Sequence, residues 1–169
     1  MNIRRLALDS ILLGLAAAFS FLESLIPAPA GMRLGLSSIL VMYAILFLTP
    51  ADAAALVLLK SVFVLFTRGI SAGILSFSGG FLSFLGMYLL FQIGASLLLT
   101  SAIGGLLHNL GQILAAMFLL DTPAVFSYFP FIAFCGLFAG MISACIFRFL
   151  IPYLVKYENR TQIYHLKGF

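Results

Sequence analysis

Hydrophobic residues in this chain come in long runs, without the alternation of a strand or the narrow stripe of a surface helix. Between Arg68 and Asp121 lie 52 consecutive residues without one Asp, Glu, Lys or Arg. As a single helix they would extend about 78 Å, against a hydrocarbon core of about 30 Å, so the stretch crosses a bilayer at least twice. Lipid offers backbone polar groups no partner, which restricts membrane spans to helices and closed barrels. The unbroken runs exclude the dyad alternation of a barrel. The pattern predicts an all-α, polytopic membrane protein, a single domain over residues 1–169 with six transmembrane helices.

Breaks in the pattern place the spans at about 6–26, 34–48, 51–67, 81–99, 102–120 and 131–150, with a tail over 151–169. Pro27-Ala-Pro-Ala-Gly31 breaks the first helix and makes an outer loop. The second span ends at Thr49-Pro50, and Asp52 is placed as an early-turn acid for the third. Two spans of about 20 residues each leave roughly ten over within the uncharged stretch. That surplus is assigned to Gly69–Gly80, rich in Gly and Ser yet apolar, predicted to lie against the outer end of the bundle. Asp121–Pro130 is predicted as a further outer loop. A rival reading makes the N-terminus a signal peptide, with Arg4-Arg5, an apolar core and Ala28-Pro29-Ala30 as a cleavage motif. Glu23, between that core and the motif, argues against it, and the first span is expected to serve as an uncleaved anchor.

Composition agrees with lipid as the solvent: 63% of residues are hydrophobic, 8% are charged, and mean hydropathy is +1.20. A soluble domain carries about 25% charged residues. The net charge of +4 does not point to nucleic acid, because Arg4, Arg5, Arg148, Lys156, Arg160 and Lys167 gather at or near the two termini. Under the positive-inside rule that asymmetry predicts cytoplasmic termini and an even number of spans, in an inner membrane. Cys135 and Cys145, ten residues apart in one run, would lie about 15 Å apart on a helix, too far for a disulfide. Both are read as packing residues.

Few residues carry chemistry. Ser10, Gly14 and Ala18 form a small-residue stripe at i, i+4 and i+8 on the first span, which lets another helix approach closely, within the chain or from a partner. Glu23, Arg33, Lys60 and Arg68 are the ionisable groups in or near the outer half. An ionisable residue inside a span is costly and raises a functional hypothesis. Lys60 is the clearest case, with Glu23 its one plausible acidic partner at similar depth, and it is read either as half of a structural pair or as facing a ligand. His108, Asn109 and Gln112 are the densest polar cluster of the apolar region and must face the bundle interior. Inter-helix hydrogen bonding and ligand orientation both fit them. One membrane His without a nearby acid or Cys is too small a ligand set for a metal.

Other chemistry is missing. There is no Gly-x-x-x-x-Gly-Lys-Ser/Thr phosphate loop, so the chain cannot couple ATP by itself. The five acids never cluster, so no Mg-diphosphate site of paired aspartates can be built. No Ser or Cys has a base within motif reach. The expectation is a protein without catalytic residues, metal or cofactor, which is not an enzyme.

Four segments carry a resemblance: Phe21-Leu-Glu-Ser-Leu-Ile-Pro27, Gly31-Met-Arg-Leu-Gly-Leu-Ser37, Ser78-Gly-Gly-Phe-Leu-Ser83 and His108-Asn-Leu-Gly-Gln112. Together they make the chain resemble the substrate-binding S components of energy-coupling factor (ECF) vitamin transporters. More closely it resembles the Gx transporter group, whose members often carry the name heptaprenyl diphosphate synthase component I. The resemblance implies a six-helix bundle in a bacterial cytoplasmic membrane with an outward-opening pocket. It implies docking of the first helices onto a transmembrane T component that bears two ATPases. Ser10, Gly14 and Ala18 stand where an Ala-x-x-x-Ala type stripe makes that contact. A substrate-capturing subunit follows, in which Glu23, Arg33, Lys60, His108, Asn109 and Gln112 fix a vitamin-, cofactor- or quinone-precursor-like molecule. The loops 27–33, 69–80 and 121–130 would gate it. The alternatives are a non-catalytic accessory subunit of an isoprenoid or quinone pathway, and a purely structural subunit such as one of a redox complex. The structural subunit would leave His108, Asn109 and Gln112 paired only with protein, with no cavity beside them.

Overall fold

The computed structural model describes residues 3–25 and 38–157, with side chains over 10–22 and 38–152. Its elements are α1 (Ile3–Leu25), α2 (Ser38–Phe47), α3 (Pro50–Arg68), α4 (Ile70–Gln92), α5 (Leu97–Leu120), a 3₁₀ turn over Pro123–Tyr128, and α6 (Phe129–Tyr157). Four stretches are long and apolar enough to cross a membrane: Pro50–Arg68, Ile70–Gln92, Leu97–Leu120 and Pro123–Pro152. Among the described residues, Ser10–Leu22 and Ser38–Phe47 are apolar but shorter.

The outer surface of these helices is greasy. Phe118 is 88% exposed, Phe66 81% and Phe149 76%, and Ile70, Leu89 and Ile93 are exposed as well. A water-soluble monomer rarely shows contiguous apolar surface of that extent. Meanwhile Lys60, His108, Asn109 and Gln112 are all buried. Apolar outside and polar within is the distribution a lipid-facing bundle requires. The chain is a multi-pass helical membrane protein.

Local chemistry explains the junctions. Thr49 caps α3 in a reciprocal box: its Oγ1 accepts from the Asp52 backbone N–H, while Asp52 Oδ2 accepts from the Thr49 N–H at 3.0 Å and from its hydroxyl at 2.6 Å. Pro50 at the first helical position has no amide hydrogen to leave unsatisfied. The early-turn role expected for Asp52 is therefore realised. Asp52→Ala should cost about 1 kcal/mol, read as a lower unfolding midpoint in detergent. Gly69 joins α3 to α4 alone, at φ +90°, a conformation that favours glycine. The α4–α5 turn contains Gly94 at φ +74°, and Ser96 then caps α5 through the Leu99 N–H at 3.3 Å.

The segment expected to lie as a surplus piece at the bundle's end, Gly69–Gly80, is instead a junction residue followed by the first half of α4. The spans expected at 81–99 and 102–120 shift accordingly to Ile70–Gln92 and Leu97–Leu120, and the loop expected at 121–130 contains the 3₁₀ turn. The reason lies in packing. A Cβ added to Gly73 would meet Leu65 Cβ of α3 at 2.6 Å, and one on Gly80 would meet Val57 Cγ1 at 2.9 Å. On the other side, a Cβ on Gly79 would stand 2.7 Å from the His108 carbonyl oxygen, and one on Gly111 2.5 Å from that of Ser78. The glycines let α4 press backbone to backbone between α3 and α5, and in lipid this close packing outweighs their weak helix propensity.

The remaining helices follow from that layer. α5 packs on α6 through Gly105 opposite Gly136, and through Gly140 against Ser101 and Ala102, a small-xxx-small approach. α1 packs mainly on α3. The short α2 touches all five other helices, and eight of its ten residues are buried. Tyr43 and Phe47 stack at 5.0 Å within this plug, and Phe147 of α6 closes on Phe47. Cys135 is half-buried and Cys145 exposed, so only the first serves the expected packing role.

Candidate functional site

Among the interior polar residues, two groups differ in their surroundings. The first fastens helices together. Asn109 Nδ2 donates to the Ile132 carbonyl oxygen at 2.9 Å, and Ser101 Oγ donates to that of Gly140 at 2.7 Å, so α5 is tied to α6 at two levels. Inter-helix bonds of this kind in membranes average about 0.6 kcal/mol and reach about 1.7. Asn109→Ala should cost about 1 kcal/mol in an unfolding titration, because the Ile132 carbonyl loses its donor.

The second group borders a narrow cavity of about 10 Å³ lined by described residues of α2, α3, α4 and α5. That is the room of one water molecule. Ser38 and Val41 of α2 border it at i, i+3, as do Val57 and Lys60 of α3. α4 contributes Ser76, Gly80 and Ser83 at i, i+4, i+7, one face of a helix, and His108 completes the wall from α5. Short side chains on α4 make this space: where Gly80 has no side chain, a Cβ would touch Val57.

His108 Nε2 lies 3.2 Å from Gln112 Nε2 one turn on. The amide nitrogen has only hydrogens to offer, so the ring nitrogen facing it accepts and the imidazole proton is placed on Nδ1. Gln112 thus orients the imidazole at the cavity's edge. Lys60 is only 4% exposed and engages the protein through a contact of its own.

Ser76 and Ser83 share with Ser20, Thr100 and Ser143 a buried hydroxyl that bonds nothing in the protein, and of the five only these two border the cavity. A helical serine commonly returns its hydroxyl to the carbonyl one turn back. Ser61 does so to Val57 at 2.7 Å and Ser78 to Ile74 at 2.9 Å. The hydroxyls of Ser76 and Ser83 are fully buried and have no protein partner within hydrogen-bond reach. A buried hydroxyl without a partner costs about 1–3 kcal/mol, which gives both positions a claim on a ligand or water.

Of the residues singled out in the sequence, Lys60 and His108 border the cavity, and Gln112 supports it from behind. Asn109 is committed to α6. Glu23 lies on α1 with its side chain outside the described residues, and Arg33 lies outside them altogether. Ser10, Gly14 and Ala18 are exposed along α1, and nothing stands within 4 Å of where a Gly14 Cβ would be. Sequence reasoning missed Ser76 and Ser83. Their helical spacing around Gly80 was the available signal, hidden by reading 69–80 as non-helical.

The described residues form a multi-pass helical bundle with a small polar cavity between α2, α3, α4 and α5. The family model for Heptaprenyl diphosphate synthase component I matches residues 12–150, and the chain belongs to that family. No match was found among curated proteins or among solved structures.

Proposed function

We propose that the chain is a non-catalytic, substrate-binding membrane subunit of the S-component kind. It would capture a small vitamin-, cofactor- or quinone-precursor-like molecule for ATP-driven uptake by partner chains. The observation that carries this reading is the cavity bordered by Lys60, Ser76, Ser83 and His108, with two buried hydroxyls that the protein leaves unbonded. Ser20, Thr100 and Ser143 also carry unbonded hydroxyls, so what sets Ser76 and Ser83 apart is their place on the cavity wall beside Lys60 and His108. A few convergent polar groups in an apolar wall are what fixes a ligand's orientation.

Ligand pockets for whole molecules run from about 300 Å³ upward. A cavity of about 10 Å³ has room for one polar group, and capture of a whole molecule would require the helices around it to part. Glu23 and Arg33 would act at the outer entrance, Lys60 and His108 inside, and Gln112 and Asn109 in their support. With the termini on the cytoplasmic side of a bacterial inner membrane, the exposed stripe of Ser10, Gly14 and Ala18 would face a T component bearing two ATPases. All six helices would then serve as membrane elements, the short α2 as an interior one.

The family's description favours one other reading, in which the chain is a membrane accessory to a prenyl diphosphate synthase. The two readings differ in their partners. Affinity purification from the native membrane should recover a T component and ATPases under the first reading, and a soluble prenyl synthase without ATPases under the second.

A further inference from the structure

We propose that the α5–α6 connection, Pro123–Tyr128, is an aromatic anchor embedded in lipid, running down the outside of α5 with acyl chains and the headgroup boundary as its partner. The membrane bundle alone carries this inference, whatever the chain binds.

Contacts between helices set the levels along the bundle. α5 and α6 run antiparallel, since Gly105 meets Gly136, Ser101 meets Gly140, and Asn109 is bonded to the Ile132 carbonyl. From Asn109 to its end at Leu120, α5 climbs about 16 Å. From Ile132 back to its start at Phe129, α6 climbs only about 5 Å. The turn over Pro123–Tyr128 covers the difference of roughly 12 Å, at about 2 Å per residue of 3₁₀ helix. The chain therefore reverses at Asp121, left-handed at φ 47°, and descends beside the last turns of α5. α4 is antiparallel to α5 as well, with Gly79 against Gln112 and Met87 against Gly104, so the α3–α4 junction lies at this same end. Arg68 and Asp121 bring charge to that end, and the turn falls away from it toward the middle of the bundle.

The bundle covers none of the turn. No residue of it is buried, and Phe126 and Tyr128 are exposed. Phe118 and Leu120 of α5 and Phe131 and Phe134 of α6 are exposed too, so the turn continues the lipid-facing surface of its flanking helices. From Thr122 to Phe147 there is no charged residue. Set in water, this surface would be a contiguous apolar patch of the kind soluble proteins avoid. Lipid demands that backbone groups be met internally. Pro123 has no amide hydrogen, the Val125 N–H donates to the Thr122 carbonyl at 3.2 Å, and the Phe129 N–H donates to that of Phe126. Phe126 stacks on Phe129 at 5.1 Å, which holds the turn to the start of α6. Tyr128 carries an amphipathic ring whose hydroxyl can reach back toward the headgroups. A connection held in lipid does not swing across an aqueous pocket, so Pro123–Tyr128 takes no part in the gating expected of residues 121–130.

The chain contains no Trp, so a single introduced indole reports its own surroundings. Ala124→Trp, Tyr128→Trp and, as a lipid-facing reference, Phe118→Trp replace exposed side chains. Each full-length variant is reconstituted in phosphatidylcholine vesicles. Its fluorescence is then quenched by lipids brominated near the headgroup, by lipids brominated near the chain end, and by aqueous iodide. Tyr128→Trp should lose at least half of its emission to the brominated lipids, as Phe118→Trp does, and little to iodide. Positions 124 and 128 differ by about 8 Å along the turn, so chain-end bromine should quench Tyr128→Trp more than Ala124→Trp. Should either variant fail to fold, Phe126→Trp on the same turn takes its place, with an intermediate depth expected. Quenching by iodide and not by brominated lipid would make the turn an aqueous loop and overturn the proposal. Equal depth along the turn would deny the descent. Shielding from both quenchers would mean that protein, such as a second copy of the chain, covers the turn, and would overturn it likewise.

Discussion

Gly140→Leu is expected to be the most damaging single substitution in the described bundle. A Cβ at that position would collide with the Ser101 carbonyl oxygen and stand 2.7 Å from Ala102 Cα, both of them backbone atoms. Backbone cannot rotate away as a flexible side chain can, so α5 and α6 must separate. Separation also removes the Ser101 bond to the Gly140 carbonyl and strains the Asn109 bond to Ile132 one level further along. Overpacking of this kind costs about 3 kcal/mol, to which the lost inter-helix bond adds about 0.6. The measurement is an SDS titration in mixed micelles, with the midpoint of helix loss compared with wild type. A change below about 0.5 kcal/mol, the range of ordinary surface substitutions, would mean that α5 and α6 do not meet as described.

Gly14→Leu is expected to do the opposite, sparing the fold and abolishing assembly. Gly14 is exposed on α1 with open space around it, and leucine is the better helix former by nearly 1 kcal/mol. The unfolding midpoint should stay level or rise. If the stripe of Ser10, Gly14 and Ala18 is where a partner's transmembrane helix makes close contact, a leucine there holds the two backbones apart. Co-purification of the partner should then fall about ten-fold or more, since loss of tight packing at a small-residue interface removes most of what drives helix association in lipid. Normal partner recovery with Gly14→Leu would place the docking surface elsewhere.

The two substitutions also show why some of this protein is legible in its sequence and some is not. The membrane bundle is legible because hydrocarbon imposes one rule on every span, and 52 uncharged residues leave few ways to obey it. For the same reason His108, Asn109 and Gln112 could be placed inward before any geometry was known. Asp52 was legible because a Thr-Pro-x-Asp start satisfies orphan amides locally, independent of tertiary context.

Gly69–Gly80 was misread because glycine's reputation as a helix breaker comes from water-exposed helices, where nothing compensates for its entropy. Here Gly73, Gly79 and Gly80 each admit a neighbouring helix, and that compensation depends on Leu65, Val57 and His108, which lie on other helices. The error then hid Ser76 and Ser83, whose common face exists only once the segment is helical. Asn109 could not be separated from His108 by sequence either. The two are adjacent, yet a turn of about 100° per residue sends one to α6 and leaves the other at the cavity.

The proposed function is binding of a small molecule for an ATP-driven partner complex. Its most direct test is affinity purification of the tagged protein from its native membrane, with mass spectrometry of co-purifying proteins and of extracted small molecules. The proposal predicts a transmembrane T component, ATPase subunits and an enriched metabolite. Recovery of a prenyl synthase or redox subunits, with no ATPase and no enriched metabolite, would contradict it.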